Sequence, residues 1–269
     1  QREWLRDERG LPFWTYGAPQ LQRHSAWLAG WNAPMLRAFG AAELNIVDVR
    51  APGPYALGHV PFALNIPADT FRSYLGQPAK LAELLGAAGV NPAHEVVLMA
   101  DSGLSPDAAL AFLALEQVGQ QKLSVLMESV DEWALRGFEL TREPTAVGAP
   151  KTPKGIAVPP TTYAALPRAN VLVADPRTTR GEYPKVFVAA GKTAPARVPE
   201  GRVVALPYSE LLNADGVPKA AGELWTLMTK AGVPRHAEVI LFADDVAEAA
   251  INYYVFKLMG WPDVKVWLN

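Results

Sequence analysis

Two patterns of apolar residues alternate along this chain. Residues 46–49, 96–99 and 123–126 are short, continuously apolar and bounded by loop residues, as parallel strands buried on both faces are. Between them, 79–88 (Leu81, Leu84, Leu85) and 106–118 (Ala109, Leu110, Leu113, Leu115) carry apolar side chains every three or four positions, which lines them along one helical face. Residues 223–231 and 247–259 repeat that pattern in the second half. Strands alternating with helices predict an α/β chain with mainly parallel sheets.

The chain also repeats itself. Gly89-Val90 through Ala100-Asp101 lines up with Gly232-Val233 through Ala243-Asp244 at a constant offset of 143. Upstream, Asn45 to Arg50 pairs with Val171 to Arg177, two apolar runs that close on Asp-x-Arg; downstream, Gly119 to Leu126 pairs with Gly260 to Trp267. The chain is therefore two copies of one unit. Between them, residues 144–160 hold five prolines and two glycines with little apolar periodicity, the composition of a semi-rigid linker. The expected organisation is an aromatic arm at 1–35, one domain at 36–146, a proline-rich linker at 147–160 and a second domain at 161–269. The arm carries Trp4, Trp14, Trp27 and Trp31, four of the eight tryptophans, and is too aromatic for a free tail. In the first copy Trp133 follows the last strand on a closing helix; its counterpart would fall near 274, past Asn269, and a sheet lacking that helix would call for a covering partner.

Composition narrows the chemistry. Charges balance at 25 basic and 27 acidic, so no basic surface for nucleic acid is expected. No apolar run reaches the roughly 18–20 residues of a membrane-crossing helix. Cysteine is absent, which excludes disulfides, thiolate metal sites and every cysteine nucleophile. Ser102 and Ser105 lie outside any Gly-x-Ser-x-Gly elbow and the four histidines are scattered, so neither a serine relay nor a metal centre is indicated; no phosphate- or dinucleotide-binding loop appears, and no cofactor is expected. Gln1 opens the sequence without an initiator Met, which suggests a processed, exported form: periplasmic or otherwise extracytoplasmic, with the cytoplasm left open.

Asp48-Val49-Arg50, then Tyr55 through Gly58-His59-Val60-Pro61 to Pro67, then Val96 to Gly103, then Val125-Leu126-Met127, Trp133 and Gly137 form an ordered set. With a more divergent second series (Asp175-Pro176-Arg177, Glu182-Tyr183, Ala196-Arg197-Val198-Pro199, Leu206-Pro207, 239–250), it resembles the tandem two-domain rhodaneses, over roughly residues 40–269. Asp48 with Arg50, and Asp175 with Arg177, are expected to end a buried strand in a carboxylate–guanidinium fork that locks a loop. Gly58 is expected to permit close backbone approach or positive φ, His59 to cap a carbonyl and Pro61 to fix the turn.

The resemblance implies a cup of backbone N–H groups between a strand and a helix, whose first residue is a cysteine that carries sulfane sulfur as a persulfide. The positions matching that cysteine are Ala100 and Ala243. The basic residue often found five positions further on is Ser105 in one copy and Glu248 in the other. The first loop, Asp101-Ser102-Gly103, and the second, Asp244 and Asp245 with Glu248, have an ordinary purpose in capping a helix start, and a cation or partner site at the acidic loop stands as the alternative. Two explanations of the alanines remain: a site lost in evolution, which the acidic second loop favours, or a cysteine deliberately replaced. The expected function is an inactive tandem rhodanese-like protein serving as a binding or structural subunit of a larger assembly. Protein partners would be contacted through the arm tryptophans. The alternatives are a thiosulfate or mercaptopyruvate sulfurtransferase with Ala243 in place of its cysteine, and a small-ligand sensor using the altered loop.

Overall fold

The computed structural model describes residues 15–150 and 155–268; Trp4 and Trp14 lie outside them. The chain forms two units. The first is Gln20–Leu172 with Asp215–Val217, and the second takes the segment through Pro19, Val173–Ala214 and the chain from Pro218 onward.

In the first unit the elements run β1 (Gln22–Arg23), α1 (Ser25–Trp31), α2 (Pro34–Ala38), β2 (Leu44–Asp48), α3 (Pro52–Leu57), β3 (Ala63–Asn65), α4 (Ala68–Ser73), α5 (Pro78–Ala87), β4 (Glu95–Met99), α6 (Pro106–Val118), β5 (Lys122–Leu126) and α7 (Val130–Leu135). The sheet order is β1-β5-β4-β2-β3, parallel throughout. One face packs Leu28, Ile46, Tyr55, Val97, Met99 and Trp133 into a common core. Helix α6 is buried along nearly its whole length, which explains its near-continuous apolar sequence. Its left-handed cap Gly119 (φ 93) has no room for a side chain, since a Cβ there would lie 2.1 Å from the carbonyl oxygen of Leu166.

The proline-rich stretch is not a free connection. It holds β6 (Ala146–Val147) and β7 (Ala157–Val158), which pair in parallel. Beyond the expected boundary at 161, Tyr163 is buried with its hydroxyl donating to Gln120 Oε1 at 2.6 Å, and Arg168 pairs with Glu116 at 2.8 Å. Irregular, proline-stiffened backbone thus anchors itself by side chains, and the first unit continues to Leu172.

The second unit contains β8 (Leu172–Val173), β9 (Lys185–Ala189), β10 (Val203–Ala205), α8 (Ala221–Lys230), β11 (Glu238–Phe242), α9 (Val246–Met259) and β12 (Asp263–Trp267), with sheet order β10-β9-β11-β12-β8. Its core packs Trp261 at a tilt against Trp225 and edge-on against Phe256, with the Trp261 indole donating to the Pro234 carbonyl at 2.9 Å. The segment before Pro19 belongs here: the Tyr16 hydroxyl donates to the Lys219 carbonyl at 2.8 Å and the Ala18 N–H to the Leu258 carbonyl at 2.9 Å. Gly17 is needed for this approach, because a Cβ would sit 2.9 Å from Gly260 Cα.

The strand register corrects one pairing of the repeat. Asp48 faces Met99, and Met99 corresponds to Phe242, which faces Ala189. The counterpart of β2 is therefore β9, and that of Asp48-Val49-Arg50 is Ala189-Ala190-Gly191. Strand β8 instead holds the edge position that β1 holds in the first sheet. Asp175 follows a two-residue edge strand, and its fork with Arg177 lies at the surface, with the Arg177 side chain 80% exposed. Both Asp-x-Arg forks close locally over two residues, so their likeness in sequence carried no information on strand position.

The arm divides as well. Leu28 of α1 is fully buried in the first core, Trp27 packs against that core beneath the Arg23 guanidinium (4.1 Å), and Trp31 is 47% exposed. Leu28→Ala should lower the stability of the first unit by about 2–5 kcal/mol, the usual range for an uncollapsed core cavity; urea unfolding would show it. A loss below 0.5 kcal/mol would mean that α1 is a detachable arm.

Candidate functional site

Both sites follow the central strand of a sheet, where strands β4 and β11 end and the chain turns into a buried helix. Ala100 and Ala243 sit there, each almost fully buried. Between Met99 and the cap of α6 come five residues, Ala100 to Leu104, with Ser105 Oγ accepting from the Ala108 N–H at 3.2 Å. Between Phe242 and the cap of α9 come only two, Ala243 and Asp244, with Asp245 accepting from the Ala247 N–H at 3.0 Å. The second turn is three residues shorter. It is a corner, with no length for a ring of inward-pointing amides.

In the first unit the turn is itself occupied by protein. The Leu104 N–H donates to the carbonyl of Gly216, from the short segment Asp215–Val217 of the same unit, at 2.9 Å. Gly103 lies beneath, where a Cβ would come 3.0 Å from Gly216 O and 3.1 Å from Met127 O. Asp101 and Ser102 point to solvent.

In the second unit Glu248, in the first turn of α9, reaches over Gly191; its Oε2 would be 2.9 Å from a Cβ there, and that same Cβ would be 3.6 Å from the Ala243 methyl. The carboxylate and the Ala243 methyl thus border the same glycine. Asp244 accepts from the Ala196 N–H at 2.9 Å, so it ties the loop of Ala196-Arg197-Val198-Pro199 to this corner. Lys192 lies 5.1 Å over the Tyr208 ring, and its pKa is raised above the ordinary lysine value chiefly by Tyr208, with Glu248 adding to it. Lys192 and Tyr208 were not singled out from the sequence; the apolar run before Gly191, once recognised as a strand, would have placed Lys192 here, whereas Tyr208 is brought in by its N–H donating to the Ala190 carbonyl at 2.8 Å. Among the described residues no three His, Asp or Glu side chains gather as a metal site; Asp244 accepts from the Ala196 N–H and Asp245 from the Ala247 N–H.

The remaining residues stand away from this chemistry. Asp48 is fully buried and holds Arg50 through Nε and Nη2, the latter also donating to the Gly58 carbonyl at 2.9 Å. Gly58 is extended (φ 169), and a Cβ would make ordinary contact with Leu140; neither positive φ nor tight approach requires glycine there. His59 is buried and stacked on Tyr55 with centroids 3.7 Å apart, its ring nitrogens 2.8 and 3.1 Å from the carbonyls of Tyr55 and Glu143. It pins the 141–143 segment to α3. The Pro61 carbonyl accepts from Asn32 Nδ2 at 2.8 Å.

Two parallel sheets with helices on their faces, each with a strand-to-helix turn at its centre, define the tandem rhodanese fold, and residues 33–136 match the rhodanese-like domain family. The chain thus carries a rhodanese-like domain within a tandem rhodanese fold. The thiosulfate sulfurtransferase of Azotobacter vinelandii is 28% identical over 251 residues, covering 87% of this chain and 88% of that protein. That of Pseudomonas aeruginosa is 26% identical over 240 residues, covering 84% and 86%. In structure, the 3-mercaptopyruvate sulfotransferase SseA from Escherichia coli superposes with a TM-score of 0.70 at 20% identity, covering 92% of this chain and 97% of that one. No cysteine stands anywhere in the present chain.

Two measurements follow. Asp48→Asn breaks a buried ion pair and should cost about 3–5 kcal/mol in urea unfolding, whereas Arg177→Ala, at an exposed pair, should cost no more than about 1 kcal/mol. Arg177 holds the Asp175 carboxyl down to about 2 through its side-chain hydrogen bond. Asp175 therefore stays ionised until the pH falls to that value. In Arg177→Ala its NMR titration midpoint should rise toward the ordinary value of about 3.9.

Proposed function

We propose that this chain is a catalytically inactive rhodanese-like protein that acts as a binding or structural subunit of a larger assembly. The observation that carries this reading is the pair Ala100 and Ala243 at the ends of the two central strands, in a chain without cysteine. A methyl group neither attacks a sulfur donor nor holds a persulfide. The shortened second turn and the Glu248 carboxylate, which borders the same glycine as Ala243, support loss of the site over replacement of a single residue, because both would remain if the thiol were put back. In the first unit the Gly216 carbonyl already takes an amide of the turn, which counts against a small-ligand sensor there.

The exposed Trp31, together with Met35 (70%) and Phe39 (81%) that follow it at four-residue intervals, supports a surface role for the region after α1. Trp27 contributes to the fold more than to that surface.

A thiosulfate and cyanide assay tests the reading. The chain should give no thiocyanate above the uncatalysed rate. Ala243→Cys should restore none either, since a thiolate there would border the same glycine as Glu248 without a ring of amides to stabilise it. Turnover by the unaltered chain, or full turnover by Ala243→Cys alone, would establish a sulfurtransferase.

A further inference from the structure

A cavity of about 430 Å³ lies in the first unit at the N-terminal ends of β2 and β4, at the other end of the sheet from Ala100. Its volume falls within the roughly 300–1,000 Å³ of small-molecule sites. None of its lining residues is acidic, and one, Arg37, is a cation.

Arg37 is held in place but not neutralised. Its Nε and Nη2 donate to Asn32 Oδ1 at 2.9 and 2.7 Å, and its Nη1 donates to the Leu44 carbonyl at 2.8 Å. All these acceptors are uncharged, and two of the five guanidinium N–H groups remain. Burial without a counter-ion lowers its pKa to about 10, so it is still fully charged at neutral pH. A desolvated guanidinium is ordinarily paired with an acid.

Phe62 supplies a second, independent observation. It is the only non-glycine residue with positive φ (69°) among those described, a conformation that bulky side chains avoid. Its ring lies against the Arg37 guanidinium, 4.8 Å from centroid to Cζ, and both line the cavity. The conformation belongs to a tight turn, with Pro61 and Phe62 at its centre and the Ala63 N–H donating to the Val60 carbonyl at 3.0 Å, which holds the ring at a fixed place on the cavity rim. Val158 and the prolines 159 and 160 add apolar lining. Asn45 fixes the floor: its Oδ1 accepts from the Asn91 N–H at 2.9 Å and its Nδ2 donates to the Gly89 carbonyl at 3.3 Å. His94, also in the lining, keeps a buried Nδ1 without a hydrogen-bond partner.

We propose that this cavity binds a small organic carboxylate, its two oxygens on the open N–H groups of Arg37 and its apolar body against Phe62 and the Val158–Pro160 lining. The site is separate from the strand-to-helix turns and needs no sulfur chemistry, so it stands whatever the outcome of the thiosulfate assay.

Benzoate is the probe, with benzamide as its uncharged counterpart and inorganic phosphate as an oxyanion without an apolar body. Each is titrated into the full chain and followed by 1H–15N NMR. Benzoate should bind saturably, shift the Arg37 Nε–H and the amides of Gly89 and Asn91, and exceed both other probes at least tenfold in affinity. Arg37→Gln should weaken benzoate at least tenfold. Phe62→Gly, which relieves the positive φ, should melt at the same temperature or higher yet bind benzoate several-fold more weakly; it keeps the test decisive if Arg37→Gln fails to fold. Equal affinity for benzoate and benzamide, shifts confined to other residues, phosphate binding as tight as benzoate, or no saturable binding by about 10 mM, tenfold above a 1 mM dissociation constant, would each overturn the proposal.

Discussion

A parallel strand buried on both faces must give way to a helix that runs back across the sheet, and the residues allotted to that reversal decide what its turn can do. Five residues between Met99 and Ser105 leave amides that need partners; two between Phe242 and Asp245 leave only enough chain to reach the helix cap. In both units the helix that follows is so thoroughly buried that its position is set by packing. The turn must adapt to the core, and any chemistry a turn can hold is subordinate to that geometry.

Around these junctions the two units differ in what they bury. The first retains Asp48, Arg50 and His59 as a connected set of charge-assisted and carbonyl-directed bonds that fasten α3 and the 141–143 segment to the sheet. The second has Ala189, Ala190 and Gly191 at the corresponding strand end; its buried ion pair lies elsewhere, between Lys265 and Glu238 at 3.1 Å, beside a cluster of tilted and edge-on aromatic rings. Buried polar networks specify geometry, so each unit fixes its sheet at a different place: the first at the end of β2, the second between β11 and β12. The sheet order is the same in both although the polar anchor has moved.

Much of the architecture was legible because apolar periodicity is a direct imprint of burial. The central strands, α6 and α9 were visible within a residue or two. The first strand of the second sheet was misplaced because Asp175-Pro176-Arg177 imitates a motif whose fork is purely local, whereas 185–189, the true counterpart, lacks any charged signature at its end. The shortened turn left a trace in the sequence: the offset of 143 between strands falls to 141 at the helix caps Gly119 and Gly260. What occupies the turns, Gly216 in one and Glu248 in the other, depends on contacts across tens of residues and has no local pattern.

The strip from Tyr16 to Ala18 has a consequence for anyone who would divide this molecule. A recombinant piece begun at the proline-rich stretch would contain every strand and helix of the later half, yet it would omit Gly17 from its seat on Gly260 and leave the carbonyls of Leu258 and Lys219 without their donors. Such a fragment is cut through its own wall. The smallest self-sufficient version of that half is not a contiguous stretch of the gene.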